Sequence, residues 1–175
     1  MRYFKFSEFF NSPTAKELGI SNYPTSSNEE IEVKANIECL VDKILDPIRE
    51  HLEIPIRVTS GYRCPDLNRS ILGSRKSQHL KGEAADIVGR TDYLFSDNID
   101  IAISIIELGD FDQLILERCD KDFRHIYWIH VSYVRNGRNR GQILIENNGS
   151  YRSANDIELL NQLKNIKLQT YESYR

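Results

Sequence analysis

Helical and strand-like spacings of hydrophobic residues alternate along this chain of 175 residues. The clearest helical pattern starts at Ser27 and Glu30, which have the spacing of a capping box. Apolar residues then recur every three or four positions, at Ile37, Leu40, Val41, Ile44, Leu45 and Ile48. This spacing predicts a long amphipathic helix. Because proline lacks the amide hydrogen that a helix interior needs, we expect a bend or interruption near Pro47.

The segment before this helix has no regular period. Pro13, Gly19 and Pro24 interrupt any continuous element there. Residues of this type punctuate turns and loops. The pattern therefore predicts an irregular N-terminal arm over residues 1–25.

Short β-branched or alternating runs between turn residues predict strands. The predicted strands are residues 56–59, 84–88, 113–117, 126–133 and 142–146. A short helix is predicted to start at Pro65. Two further helices are predicted over residues 98–108 and 155–164, the second of them within a C-terminal helix and tail over 154–175. Residues 74–82 are predicted to be a loop, and strands 113–117 and 126–133 an antiparallel hairpin.

Helices beside an antiparallel sheet define an α+β fold. We see no internal repeat, low-complexity tract or linker, so residues 1–175 are predicted to form a single domain, with an antiparallel sheet flanked by helices. The hydrophobic content of 40% fits a globular fold.

Charge, apolar runs and cysteine content limit the partners and the location expected for the protein. The net charge of −3 argues against a nucleic-acid partner. Neither an apolar leader at the N-terminus nor a run of about 18 apolar residues is present, so no signal peptide and no membrane insertion are predicted. The three cysteines are odd in number without C-x-x-C spacing, which favours synthesis in a reducing compartment, the cytoplasm. The oligomeric state stays open.

Two distant segments supply a set of candidate metal ligands. Residues 77–86 read S-Q-H-L-K-G-E-A-A-D and residues 128–132 read W-I-H-V-S. Catalytic zinc sites use three protein ligands and leave a fourth position for water. The candidates are His79, Asp86 and His130. Their spacing is not the helical H-E-x-x-H of many zinc proteases. The alternative is that each is a structural histidine or a turn aspartate.

A longer string of motifs surrounds these ligands. V-T-S-G-Y-R-C-P at residues 58–65, Asn68, the S-x-H-x-x-G-x-A-x-D element and W-I-H-V-S follow one another in order. Together they resemble the zinc D-alanyl-D-alanine carboxypeptidases and L-alanyl-D-glutamate endopeptidases of bacterial cell-wall metabolism, and the related phage endolysins. The resemblance covers roughly residues 31–145 and implies a hedgehog/DD-peptidase-like fold.

The resemblance also implies a function and a cofactor. In the family, residues matching His79, Asp86 and His130 bind Zn²⁺. The implied activity is hydrolysis of peptide bonds in peptidoglycan stem peptides by a metal-activated water, at the cell wall after export or lysis. Carboxypeptidase and endopeptidase action are left open. Two rival hypotheses use the same scaffold: a catalytically silent zinc-binding module, and a phage structural or assembly protein.

The general base departs from the family pattern. Relatives carry an acidic residue three positions before the last zinc histidine, where this chain has Tyr127. Sequences of this subtype have a D-Q-L-I-x-E run before W-I-H-V-S, which matches residues 112–117. If the two strands pair, Glu117 would face His130 with about 5 Å between Cβ atoms. We therefore expect Glu117 to be the general base. The alternatives are a solvent-facing Glu117 or, with weaker support, Glu83.

Substrate contacts are expected from three residues. Arg63 matches the family arginine near the substrate carboxylate, and its planar fork suits bidentate binding. An internal salt bridge is the alternative role for Arg63. Ser77 and Ser132 flank the ligands in sequence and are expected to orient ligands or substrate by hydrogen bonds.

Overall fold

One mixed sheet organises the residues that the computed structural model describes, which are 1–90, 96–123 and 125–173. Its strands lie in the order β1-β2-β4-β3-β5-β6. Their bounds are β1 Arg57–Ser60, β2 Ala84–Val88, β3 Gln113–Glu117, β4 Trp128–Ser132, β5 Gln142–Asn147 and β6 Ser150–Ser153. All neighbours are antiparallel except β3 and β5, which are parallel. The predicted α+β fold and the β3–β4 antiparallel pair are confirmed.

Seven α-helices lie before, between and after the strands in the described residues. Their bounds are α1 Phe6–Phe10, α2 Pro13–Glu17, α3 Ser27–Leu40, α4 Asp46–Leu52, α5 Pro65–Ser70, α6 Ser96–Leu108 and α7 Asp156–Ser173. A π-helical turn, Val41–Leu45, joins α3 to α4. Pro47 follows this wide turn, and such turns relieve the i−4 hydrogen-bond ladder that a proline disrupts. The helix therefore continues through the predicted break.

The N-terminal arm is more regular than predicted. Pro13 begins α2, and the Ser12 side chain caps this helix by accepting a hydrogen bond from the Ala15 amide. Proline suits the first helical position because the missing amide hydrogen has no partner there. Phe9 and Phe10 in α1 are buried in the core. The expectation of an irregular arm was wrong for these two helices.

Two further elements differ from the sequence prediction. A short 3₁₀ helix, Gln78–Lys81, lies inside the predicted loop. Strand β6 was not predicted. It follows Asn148 and Gly149, which both have positive φ angles, 51° and 80°. An Asn-Gly turn with these angles is a strong hairpin signal because it matches the twist of the flanking strands. Helix α7 also extends well beyond the predicted residue 164.

The two faces of the sheet have different roles. One face carries fully buried apolar side chains, at Ala85, Ile87, Leu114, Leu116, Ile129 and Val131. Helix α6 contacts β3 and β4, and it also contacts α4 and α7. Each large apolar side chain buried there contributes roughly 1.5–3 kcal/mol of transfer free energy. The opposite face, called here the site face, carries Asp86, His130 and Glu117. None of the described helices has both the length and the apolar character needed to span a bilayer.

Candidate metal and catalytic site

The structure brings the three candidate metal ligands together. Asp86 on β2 lies directly opposite His130 on β4. The 3₁₀ helix adds His79, whose Nε2 is 3.2 Å from both His130 Nδ1 and Asp86 Oδ1. Asp86 Oδ1 lies 2.9 Å from His130 Nδ1. All three residues are buried. Three donor atoms from distant segments therefore surround one small volume, and they could hold a metal ion.

The geometry of this triangle fits zinc. Ligand atoms bound tetrahedrally at about 2.0–2.1 Å from zinc lie roughly 3.3 Å apart, close to the three observed separations. His79 also has an outer partner, because its Nδ1 lies 2.6 Å from the Gly61 carbonyl oxygen. A proton on Nδ1 donated to that carbonyl leaves Nε2 with a free lone pair, the arrangement typical of metal-binding histidines. Two imidazole nitrogens and one carboxylate oxygen are ligand types that zinc binds.

Burial sets the charge states of these ligands. It lowers the pKa of His79, which favours the neutral imidazole that a metal requires. Burial opposes the ionisation of Asp86, but contacts with His79 and His130 outweigh it and hold the pKa of Asp86 well below its usual range. A neutral His79 and an ionised Asp86 are the forms in which these two side chains bind a cation.

Arg63 lies beside the ligands and makes an internal ion pair. Its Nη2 donates to Asp86 Oδ2 at 2.5 Å, and its Nε donates to the Ser60 hydroxyl at 2.9 Å. Ser60 on β1 is itself opposite Asp86. The contact occupies the Asp86 oxygen that does not face the histidines. The alternative role considered for Arg63 is thus present, and Nη1 has no hydrogen-bond partner among the described residues.

The two serines have different environments. Ser77, just before the 3₁₀ helix, is half-buried, and its hydroxyl makes no hydrogen bond to a described residue. Ser132 is fully buried, and its hydroxyl accepts a hydrogen bond from the Gln113 amide at 3.1 Å. Ser132 lies on the site face two residues after His130, but its buried hydroxyl fastens β4 to β3. Of the two serines, Ser77 has the more accessible side chain.

Glu117 ends β3 on the site face. Its direct partner across the strands is Trp128, whereas His130 faces Ile115. The expected direct opposition of Glu117 and His130 was wrong: they are diagonal neighbours on the same face, for which Cβ atoms are about 7 Å apart. Burial and the negative charge of Asp86 raise the pKa of Glu117 to about 7. The charge of the ligand cluster therefore affects the pKa of the Glu117 carboxyl group.

Glu146 is a neighbour of Glu117 that the sequence analysis did not identify. The parallel pairing of Leu116 with Ile145 places Glu146 beside Glu117 when continued by one residue. Its carboxylate accepts hydrogen bonds from the Arg118 amide at 2.8 Å and the Gly149 amide at 2.5 Å. Its charge adds to the increase in the pKa of Glu117. The alternation within β5 contains Glu146, but the pairing of β5 with β3 has no local sequence signal.

Glu83, the two remaining histidines and Tyr127 lie away from the ligand cluster. Glu83 precedes β2, and its position in the alternation corresponds to the face opposite Asp86. His51 is exposed on α4, and exposed His125 contacts the Asp120 carboxylate at 2.8 Å. Tyr127 is 57% exposed just before β4. None of these four joins the ligand cluster.

This combination of a His-Asp-His cluster and a nearby carboxyl group is typical of a metallopeptidase centre. A comparison with protein families agrees: the family model described as Peptidase M15 matches residues 2–131. The match covers well over half of the chain, which therefore belongs to the peptidase M15 family, that of the zinc D-Ala-D-Ala carboxypeptidases. The family resemblance predicted from the motifs is confirmed. No curated protein matches the chain. Strands β5 and β6 and helix α7 follow the matched region.

Proposed function

We propose that this protein is a zinc-dependent peptidase that hydrolyses peptide bonds in peptidoglycan stem peptides. Membership of the M15 family supports a peptide substrate. One observation carries the proposal: a buried His-Asp-His cluster shares a sheet face with a carboxyl group whose pKa is about 7. The bond cleaved is of the D-Ala-D-Ala carboxypeptidase or the L-Ala-D-Glu endopeptidase type.

His79, Asp86 and His130 would hold the zinc ion. Zinc, when bound, lowers the pKa of water to about 7 and polarises a peptide carbonyl group. Two of the ligands lie on adjacent central strands, and the third is fixed by the Gly61 carbonyl. Ligands held on rigid elements keep the geometry that a metal site requires.

Glu117 would transfer the protons of the reaction. A general base works best when its pKa is near the working pH. With a pKa of about 7, Glu117 takes a proton from the attacking water and passes one to the leaving amine. Its diagonal position implies a Cβ separation from His130 of about 7 Å, and the reacting groups would lie between the two side chains.

Arg63 and Ser77 would bind the substrate. The Nη1 group of Arg63 is the donor available for a substrate carboxylate, since Nη2 and Nε contact Asp86 and Ser60. In either type of cleavage, the free carboxylate belongs to the residue that leaves with the new amino terminus. The leaving residue would therefore lie on the Arg63 side of the ligand cluster.

The second candidate function is a zinc-binding module without catalysis. It is favoured by Tyr127, which occupies the position where relatives of known chemistry have an acid. A silent module has no need of a carboxyl group with a raised pKa beside the ligands. The position of Glu117 on the site face supports the enzyme instead.

The test combines metal analysis with hydrolysis of purified muropeptides. We expect one zinc ion per chain and release of peptide products. His79→Ala should lose both, whereas His51→Ala, which changes an exposed histidine on α4, should keep both. Full zinc retention when all three ligands are replaced would refute the site. Zinc binding without turnover would favour the silent module.

A further inference from the structure

The sheet extends beyond Glu117 by two strands that follow the family match. Strand β5 pairs with β3, and β6 pairs with β5. Glu146 lies beside Glu117, and Tyr151 on β6 lies directly opposite Glu146. Residues directly opposite each other share a face of the sheet. Glu117, Glu146 and Tyr151 therefore form one row across the site face.

The hairpin that carries Tyr151 is fixed to the strand of Glu117. Asn148 and Gly149 form its turn, and the Glu146 carboxylate accepts a hydrogen bond from the Gly149 amide. The same carboxylate accepts a hydrogen bond from the Arg118 amide, which follows Glu117 directly. One buried side chain thus connects the hairpin turn to the end of β3. Tyr151 has a defined position relative to Glu117.

Tyr151 is accessible and stays protonated. Its side chain is 57% exposed although it lies on the face that carries the ligands. Burial and the negative charges of Glu117, Glu146 and Asp86 raise the pKa of Tyr151. The hydroxyl therefore stays protonated at neutral pH and is available as a hydrogen-bond donor. Its ring adds an apolar surface next to this donor.

We propose that Tyr151 binds the substrate on the acyl side of the scissile bond, opposite the side bound by Arg63. This inference rests on the proposed function. Arg63 contacts Asp86 from the β1 edge of the sheet, whereas Tyr151 lies on β6 at the other edge, beyond Glu117. A peptide whose leaving residue lies at Arg63 would extend its acyl portion towards β5 and β6. There the Tyr151 hydroxyl donates to a peptide carbonyl and the ring packs on the chain.

A bland explanation is that Tyr151 is one of the single exposed aromatic residues common on protein surfaces. The two explanations differ in their dependence on substrate length. A dipeptide cleaved at its one bond has a single residue on the acyl side and cannot reach β6. A substrate extended at its amino end, such as a stem pentapeptide or N-acetylmuramyl-L-alanyl-D-glutamate, can reach it.

The test compares KM and kcat for the dipeptide and the extended substrate. Tyr151→Ala should raise KM for the extended substrate about tenfold, from the loss of one hydrogen bond and an aromatic contact. It should leave kcat and the dipeptide KM nearly unchanged. Tyr151→Phe should restore part of the affinity. The control is Tyr23→Phe, which alters a 58% exposed tyrosine stacked on Phe10; it should change neither constant.

Equal losses on both substrates, or no loss on either, would overturn the inference while leaving the proposed function intact. If the wild-type protein cleaves neither substrate, the proposed function fails. The inference is then decided by calorimetric binding of the extended muropeptide to zinc-loaded protein. About tenfold weaker binding by Tyr151→Ala would uphold it. Absence of binding, or equal binding by both proteins, would overturn it.

Discussion

Glu117 and His130 lie on adjacent strands and on the same face of the sheet, two residue pairs apart along the β3–β4 ladder. A directly opposed pair would bring carboxylate and imidazole into contact, and the resulting ion pair would occupy both groups. The diagonal arrangement instead separates the Cβ atoms of Glu117 and His130 by about 7 Å. The proposed base can thus act on a group bound between it and the metal ligands.

The first prediction concerns catalysis by Glu117. Glu117→Gln keeps the shape of the side chain but removes its ability to accept a proton. We expect kcat on muropeptides to fall by about 10²–10⁴-fold, the usual contribution of general acid–base catalysis. Zinc content should not change, because Glu117 is not one of the three clustered ligands. Steady-state kinetics and metal analysis of the same preparation test this.

Glu17→Gln is the matched control, since it makes the same change at an exposed position at the end of α2. It should retain full activity. Normal turnover by Glu117→Gln would show that another group transfers the proton. Loss of zinc together with activity would assign Glu117 to the metal instead.

The second prediction links Glu117 to stability and pH. Its pKa is raised from an ordinary 4.5 to about 7, so the folded protein binds this proton more tightly than the unfolded chain does. This contribution to stability is fully present below pH 4.5 and is lost as the pH rises through about 7. Glu117→Gln does not titrate. Above pH 7 it should therefore be more stable than the wild type by about 1.5 kcal/mol, after allowance for solvent screening.

Urea unfolding of metal-free wild-type and Glu117→Gln proteins across this pH range measures the difference directly. The difference should grow between pH 4.5 and 7 and then level off. A constant difference would mean that the folded protein does not raise this pKa. In zinc-loaded enzyme, the activity should rise with pH with a midpoint at or below about 7, because a nearby cation favours the carboxylate.

The ligand cluster could be predicted from sequence because it is encoded by motifs. His79, Asp86 and His130 lie in two segments whose residue types and order indicate their chemistry without knowledge of the fold. Glu117 could be placed on the correct face from strand alternation alone. Its partner could not, since strand register is set by side-chain packing and the connecting segment, and a shift of two residues preserves the face.

The missed residues depend on contacts that are distant in sequence. Glu146 reaches Glu117 only through the parallel pairing of β5 with β3, on which the local pattern of β5 carries no information. Tyr151 lies on a strand with four exposed residues, which has no apolar alternation to detect. The preceding Asn148-Gly149 pair was the available signal for that strand.

The third prediction concerns the carboxylate partner of Arg63. Arg63→Lys removes the planar fork that contacts Asp86 and Ser60. It also removes the Nη1 group proposed to bind the substrate carboxylate. We expect kcat/KM to fall about tenfold or more for a substrate with a free carboxylate on the leaving residue, since a charged hydrogen bond is lost. For the same substrate with that carboxylate amidated, the loss should be much smaller.

Arg138→Lys, at an exposed position, should affect neither substrate. An equal loss on both substrates would limit Arg63 to its internal role of orienting Asp86. Metal affinity measured in parallel separates this outcome from loss of zinc.

The fourth prediction concerns the glycine of the S-G-Y-R motif. A Cβ atom on Gly61 would lie 2.5 Å from the Phe9 Cα atom, a backbone atom that cannot rotate away. Gly61→Ala must therefore displace either α1 or the Gly61 carbonyl that accepts the hydrogen bond from His79 Nδ1. We expect zinc affinity to fall about 10–100-fold, as when an outer partner of a metal ligand is lost.

Gly109→Ala is the control: it has a positive φ of 77° but nothing within 4 Å, so it should lose about 1 kcal/mol of stability without losing zinc affinity. Competition with a chromogenic chelator, at a temperature where both variants are folded, measures the affinity. Unchanged affinity in Gly61→Ala would mean that the Gly61 carbonyl does not hold His79 in its ligand orientation.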